Sequence, residues 1–179
     1  LLNRYGLKAT FNINSGFFGQ SGELIRNGVP VRHDKLPKEE ALSVYDGHEV
    51  AAHTVTHPFL PKLSDGDVIA QVENDRLALE KIFDREIVGM AYPCGGVNND
   101  DRVAGIIKDT TSIRFARTIT STFSFDEQKN LYRFNPTIHF RNERVFELAE
   151  EFLALQTTEN KVFYIWGHSH ELRTEENWE

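Results

Sequence analysis

Short runs of β-forming residues alternate with helix-periodic segments along most of this 179-residue chain. Such alternation implies parallel strands joined by crossover helices, and therefore an α/β fold. Strands are expected at residues 8–14, 49–52, 87–92, 112–118 and 161–166. Helices are expected at 38–45, from the Ser64-Asp65-Gly66-Asp67 capping-box pattern to about Phe83, at 98–108 and at 142–155. In the last of these, Val145, Phe146, Leu148, Ala149, Phe152 and Leu153 are expected to face inward. Residues 15–37, polar and holding four glycines and two prolines, read as a loop or small hairpin insertion. Leu1 to Gly6 reads as the last turn of a helix closed by a glycine cap, its body expected upstream. The stretch Asn177-Trp178-Glu179 suggests no terminal element.

Polar residues collect where the expected strands end. His53-Thr54-Val55-Thr56-His57 follows the strand at 49–52, Pro93-Cys94-Gly95 follows 87–92, Arg117 lies at the end of 112–118, and His168 follows 161–166. On a wound sheet or an α/β barrel, strand ends share one face, where such folds build their sites.

Two histidines four apart can meet on one side of a turn and share a divalent metal. The same spacing in zinc proteases has a glutamate after the first histidine; Thr54 stands there instead, so a base must come from elsewhere. Three of the five residues are β-branched, and Pro58 biases His57 away from the α region. The pair therefore belongs to a tight turn after a strand.

Bulk composition excludes several classes. A formal charge of −7 with scattered Lys and Arg gives no footprint for nucleic acid. No apolar run approaches the roughly 20 residues that span a bilayer. The single cysteine, Cys94, forbids an internal disulfide.

The ordered motifs resemble the polysaccharide deacetylases of the NodB-homology type, carbohydrate esterase family four. Gly47-His48-Glu49 followed by His53-Thr54-Val55-Thr56-His57-Pro58 resembles that family's second motif. Lys8-Ala9-Thr10-Phe11 resembles the strand after its first helix. Ala91-Tyr92-Pro93-Cys94-Gly95 resembles the third motif, and Trp166-Gly167-His168-Ser169 the fifth. The resemblance covers essentially the whole chain and implies a single catalytic domain over 1–179, folded as a distorted (β/α) barrel. It implies metal-dependent removal of N-acetyl groups from a carbohydrate of the N-acetylglucosamine type. His53 and His57 would be metal ligands, with zinc the expected cation. His168 would protonate the departing amine, and the Cys94 backbone N–H would face the oxyanion.

Two departures stand out. The family's first motif, Thr-Phe-Asp-Asp, carries the base and the third ligand, an aspartate expected upstream of Leu1. The third-motif arginine is Ala91 here, and Arg117, by its place at a strand end, is the candidate substitute. Two other functions stay open: a non-catalytic glycan-binding domain on the same scaffold, and a metal-dependent hydrolase of non-sugar amides.

Plainer roles stand beside these. His33, His48 and His139 read as non-catalytic, and His170 as structural. Asp100 and Asp101 read as helix-capping residues. Tyr92 and Trp166 fit a sugar-stacking surface or a core equally well. Cys94 lacks the partners of a nucleophile.

Overall fold

The structure, a computed structural model, describes residues 2–26 and 28–172. Leu2–Tyr5 forms a 3₁₀ turn. Gly6 donates to the Asn3 carbonyl and Leu7 to that of Leu2, with Gly6 at φ +67°. That pair of bonds is a Schellman cap, and it requires the left-handed conformation glycine adopts without strain. The 177–179 stretch lies outside the described residues.

Four parallel strands make the main sheet: β1 (Thr10–Ile13), β4 (Glu49–Ala52), β5 (Gly89–Ala91) and β6 (Phe115–Arg117), in the order β1-β4-β5-β6. The polar insertion forms the antiparallel hairpin β2 (Glu23–Arg26) and β3 (Val29–Arg32). A second parallel pair, β7 (Ile138–His139) and β8 (Ile165–Trp166), follows. The α/β alternation is present. Among the described residues the strands form this four-stranded parallel sheet and two small two-stranded sheets, and a closed barrel is not seen.

Helix α1 (Lys38–Val44) precedes β4. Helix α2 (Asp65–Phe83) joins β4 to β5; Ser64 caps it by accepting the Asp67 N–H at 3.2 Å. Helix α3 (Asp101–Thr110) joins β5 to β6, capped by Asp100, which accepts the Val103 N–H. Val68, Val72 and Leu79 of α2 are fully buried against Val50, Ala52 and Met90 of the sheet. Each such side chain contributes about 1.5–3 kcal/mol by leaving water. Among the described residues no helix is long and apolar enough to cross a membrane.

Several boundaries move for local reasons. Helix α3 starts at Asp101 rather than 98, because the Asn98 side chain is spent on the preceding turn. Helix α4 (Val145–Leu153) is shorter than expected and buries Leu148, while Phe146 is 79% exposed and Leu153 84%. Those two lie seven apart on a stripe beside the inward one, which corrects their placement. The run at 161–166 reaches strand pairing only at its end. Its first residues turn aside, with Val162 donating to the Phe125 carbonyl and Lys161 bridging Asp126.

Candidate metal and proton-transfer site

The ends of β4, β5, β6 and β8 carry the residues singled out above. The turn after β4 is tied down from two sides. From β1, Asn14 Nδ2 donates to the carbonyls of His53 (2.5 Å) and Thr54 (2.8 Å). From α2, Asp75 accepts the backbone N–H of His53 at 2.8 Å and of Ser15 at 2.6 Å. Gln71, also on α2, accepts the Val55 N–H through its carbonyl and the Thr56 N–H through its side chain. Gly16 approaches so closely that a Cβ there would lie 2.5 Å from the Val55 oxygen. Held this way, Thr54 and His57 take positive φ, and the Thr54 hydroxyl accepts the His57 N–H.

The turn brings the His53 and His57 rings to 4.9 Å between centroids, edge to face. His53 Nδ1 lies 2.8 Å from the Ala91 carbonyl, so it carries the proton and donates. Nε2 keeps its lone pair, the arrangement found in metal-bound histidine. Burial pushes the His53 pKa down to about 3, and burial also lowers that of His57. Both are therefore neutral, ligand-ready imidazoles at ordinary pH. The pair fits a divalent cation by donor type and protonation state. No third His, Cys, Asp or Glu joins it among the described residues.

After β5 the chain turns through Pro93, Cys94 and Gly95, with Cys94 at φ +67°. Buried Asn98 clamps this turn, its Nδ2 donating to the carbonyls of Tyr92 (3.3 Å), Pro93 (3.0 Å) and Cys94 (2.9 Å). The Cys94 backbone N–H points at His57 Nε2, 3.4 Å away. Burial raises the Cys94 thiol pKa, which suits a bystander.

Arg117 ends β6, 7% exposed, with Nη1 donating to the Thr118 carbonyl and the guanidinium 4.8 Å from the Trp166 ring centre. Its charge is one of the lesser influences that lower the His53 pKa. Burial lowers its own pKa, and among the described residues no carboxylate compensates it. A buried cation in that state is costly until an anion joins it. Trp166 Nε1–H is buried with no partner among the described residues. Tyr92 is core, 1% exposed, its hydroxyl donating to the Tyr132 carbonyl, which removes it as a stacking surface.

His168 follows β8 and opens the 3₁₀ turn Ser169–Glu171. Its charge is felt at both His53 and His57. It lies 3.4 Å through Nδ1 from Glu171, which also sits 3.1 Å from His139 Nε2. His170 stacks on His168 and meets His33 edge-on. A cleft of about 370 Å³ opens beside the site, lined in part by Asn12, Asn14, Lys35, Tyr45 and His170. Lys35 connects it to the site electrostatically, lowering the His57 pKa.

Asp75, Asn98 and Glu171 were not anticipated from the sequence. For Asp75 a signal existed: a carboxylate in the Val68-Val72-Asp75-Leu79 stripe faces the core. Asn98 was assigned to a helix, and Glu171 lies among four acidic residues of the chain's last nine.

Residues 1–110 match the sequence profile of the family described as polysaccharide deacetylase. No curated protein matches the chain. Among solved structures, the fold resembles the Streptococcus pyogenes deacetylase PplD in complex with acetate. The TM-score is 0.58 at 21% identity, over 75% of this chain and 54% of that one. The chain thus spans about half the length of PplD. A polysaccharide deacetylase from Bacillus cereus, BC0361, aligns at TM-score 0.49 and 25% identity, over 57% of this chain and 32% of that one.

Proposed function

The chain belongs to the polysaccharide deacetylase family, and from that premise we propose that it serves metal-dependent hydrolysis of N-acetyl groups on an N-acetylglucosamine-type carbohydrate, releasing acetate. One observation supports the reading: the turn after β4 holds two histidines with lowered pKa 4.9 Å apart, with the Cys94 N–H 3.4 Å from His57 Nε2 and with Arg117 and His168 near enough to influence His53. His53 would hold the metal through its free Nε2, and His57 through a ring nitrogen as well, its Nε2 exchanging the Cys94 N–H for the cation; zinc is the natural choice for imidazole donors. When bound, the cation supplies a water acidified toward neutral pH and a polarising charge for the acetyl carbonyl.

The remaining roles belong to residues of the chain. The Cys94 N–H, which meets His57 Nε2 at 3.4 Å in the free site, would turn to the oxygen that gains charge, while Asn98 holds the turn through the Cys94 carbonyl. Arg117, buried and without a carboxylate among the described residues, would orient the carboxylate of the general base. His168 gives the proton that the amine nitrogen takes as the C–N bond breaks; water supplies the acetate oxygen.

Acetate release tests the reading. With zinc added, the protein is expected to release acetate from N-acetylglucosamine oligomers in preference to simple acetamides, and His168→Ala to lose at least about 100-fold in kcat. Equal or faster turnover of simple amides would move the substrate class away from sugars. Oligomer binding without acetate release would leave a glycan-binding domain.

A further inference from the structure

His139, His168 and Glu171 bring three potential metal-ligand atoms within 4.8 Å of one another. Taken as a list of donors, this is a second metal site. The hydrogen bonds oppose that. The Arg141 backbone N–H donates to His139 Nδ1 at 3.2 Å, so Nδ1 carries a lone pair. A neutral His139 must then hold its proton on Nε2, which lies 3.1 Å from Glu171 Oε2. To ligate a metal through Nε2, the ring would have to move its proton to Nδ1 and face the Arg141 N–H with it. His139 is instead a donor, pinned by Phe140, stacked at 5.0 Å, and by Trp166, edge-on at 4.6 Å.

Three groups converge on the one oxygen Glu171 Oε2: His139 Nε2 at 3.1 Å, the His168 backbone N–H at 3.1 Å and His168 Nδ1 at 3.4 Å. Burial raises the Glu171 pKa, but the His168 N–H and the two imidazoles outweigh it and hold the group below the usual range. Glu171 is thus an ionised acceptor with 13% of its side chain exposed, while 47% of the His168 side chain is open. With its Nδ1 turned to a carboxylate, His168 presents Nε2 as the nitrogen free to exchange a proton.

We propose that Glu171 and His139 are positioning residues for His168: the carboxylate fixes the Nδ1–H form of the His168 ring, and His139, donating to the same oxygen, fixes the carboxylate. This rests on the proposed role of His168 as the acid. After Nε2 gives its proton to the departing amine, the neutral ring left behind is the Nδ1–H form that Glu171 accepts. No tautomer change separates one turnover from the next. The pairing differs from the His53–His57 site, where a backbone carbonyl holds Nδ1–H and Nε2 is a ligand.

The test is a long-range ¹H–¹⁵N spectrum of the ¹⁵N-labelled, metal-free protein above neutral pH. The expected result is Nε2–H for His139 and Nδ1–H for His168, with His168 in Glu171→Ala reverting to the Nε2–H form favoured by free imidazole. His168 as Nε2–H in the unaltered protein overturns the proposal, whether or not the variant folds. So does added zinc that binds His139 Nε2 before His53 and His57. In acetate-release assays, Glu171→Ala is expected to lower kcat by about 10-fold or more with KM within about twofold, and Glu171→Asp to recover part of it. If the unaltered protein releases no acetate, the functional reading fails, and the spectrum still decides this one.

Discussion

The two histidine groups of this protein share a residue type and differ in what each ring's Nδ1 or Nε2 meets. At the end of β4, His53 gives its Nδ1–H to the Ala91 carbonyl, and the turn is strapped by Asp75, Gln71 and Asn14. Among the described residues no carboxylate bonds either ring, and burial lowers the pKa of both, leaving His53 Nε2 open and His57 Nε2 facing the Cys94 N–H. At the end of β8, a carboxylate lies between His139 and His168 and claims the protons of both. The first arrangement suits ligation and the second proton handling. A histidine's task here is set by its hydrogen-bond partner rather than by its spacing in the chain.

The largest expected effect lies under the first group. Asp75→Ala leaves the His53 and Ser15 N–H groups buried without an acceptor, at about 1–3 kcal/mol each, and a total near 3–5 kcal/mol is expected from urea unfolding. A loss below about 1 kcal/mol would mean that the strap is not what holds the turn. Metal affinity separates the two groups next. In calorimetric zinc titrations, His53→Ala or His57→Ala should weaken binding by more than about 100-fold, and His139→Ala by less than about twofold. The reverse pattern would exchange the roles of the two groups.

Acid sensitivity gives a third contrast. The folded-state pKa of His53 is about 3, below the ordinary 6.5, so the unfolded chain binds the proton first as pH falls. Its contribution to stability is complete above pH 6.5 and declines toward pH 3, at about 1.4 kcal/mol per unit. Between pH 6.5 and 5 the metal-free protein should lose about 2 kcal/mol more than His53→Asn does. The difference isolates His53 from Asp75, whose pKa burial raises, giving a slope of opposite sign. Parallel stability curves would show that His53 is not held neutral. Smallest is the structural effect at the second group. Glu171→Ala should cost about 1 kcal/mol or less in urea unfolding, because both its histidine partners reach water, His168 most openly. A cost matching that of Asp75→Ala would make Glu171 a scaffold instead.

Much of this comparison was legible in the chain. The Ser64 cap and the 3.6-residue stripe of α2 predict a helix that forms, and β4 lies where the sequence places it, ahead of the turn set by Thr54-Val55-Thr56 and Pro58. The turn that carries His53 and His57 is legible because Pro58 and the β-branched residues between the histidines end the strand locally. Helix α3 was placed too early because Asn98 looks helix-compatible until its three carbonyl partners are known. The extent of β8 was equally hidden, since Lys161 and Val162 bond residues far away in sequence. The bond from Arg141 to His139, which distinguishes a proton relay from a metal trio, involves a backbone N–H that no sequence pattern marks.

The most direct measurement is anomalous scattering from crystals grown with zinc. The account predicts a zinc peak between His53 and His57, with none among His139, His168 and Glu171. A peak at that trio, or no peak at the His53–His57 pair, would contradict it.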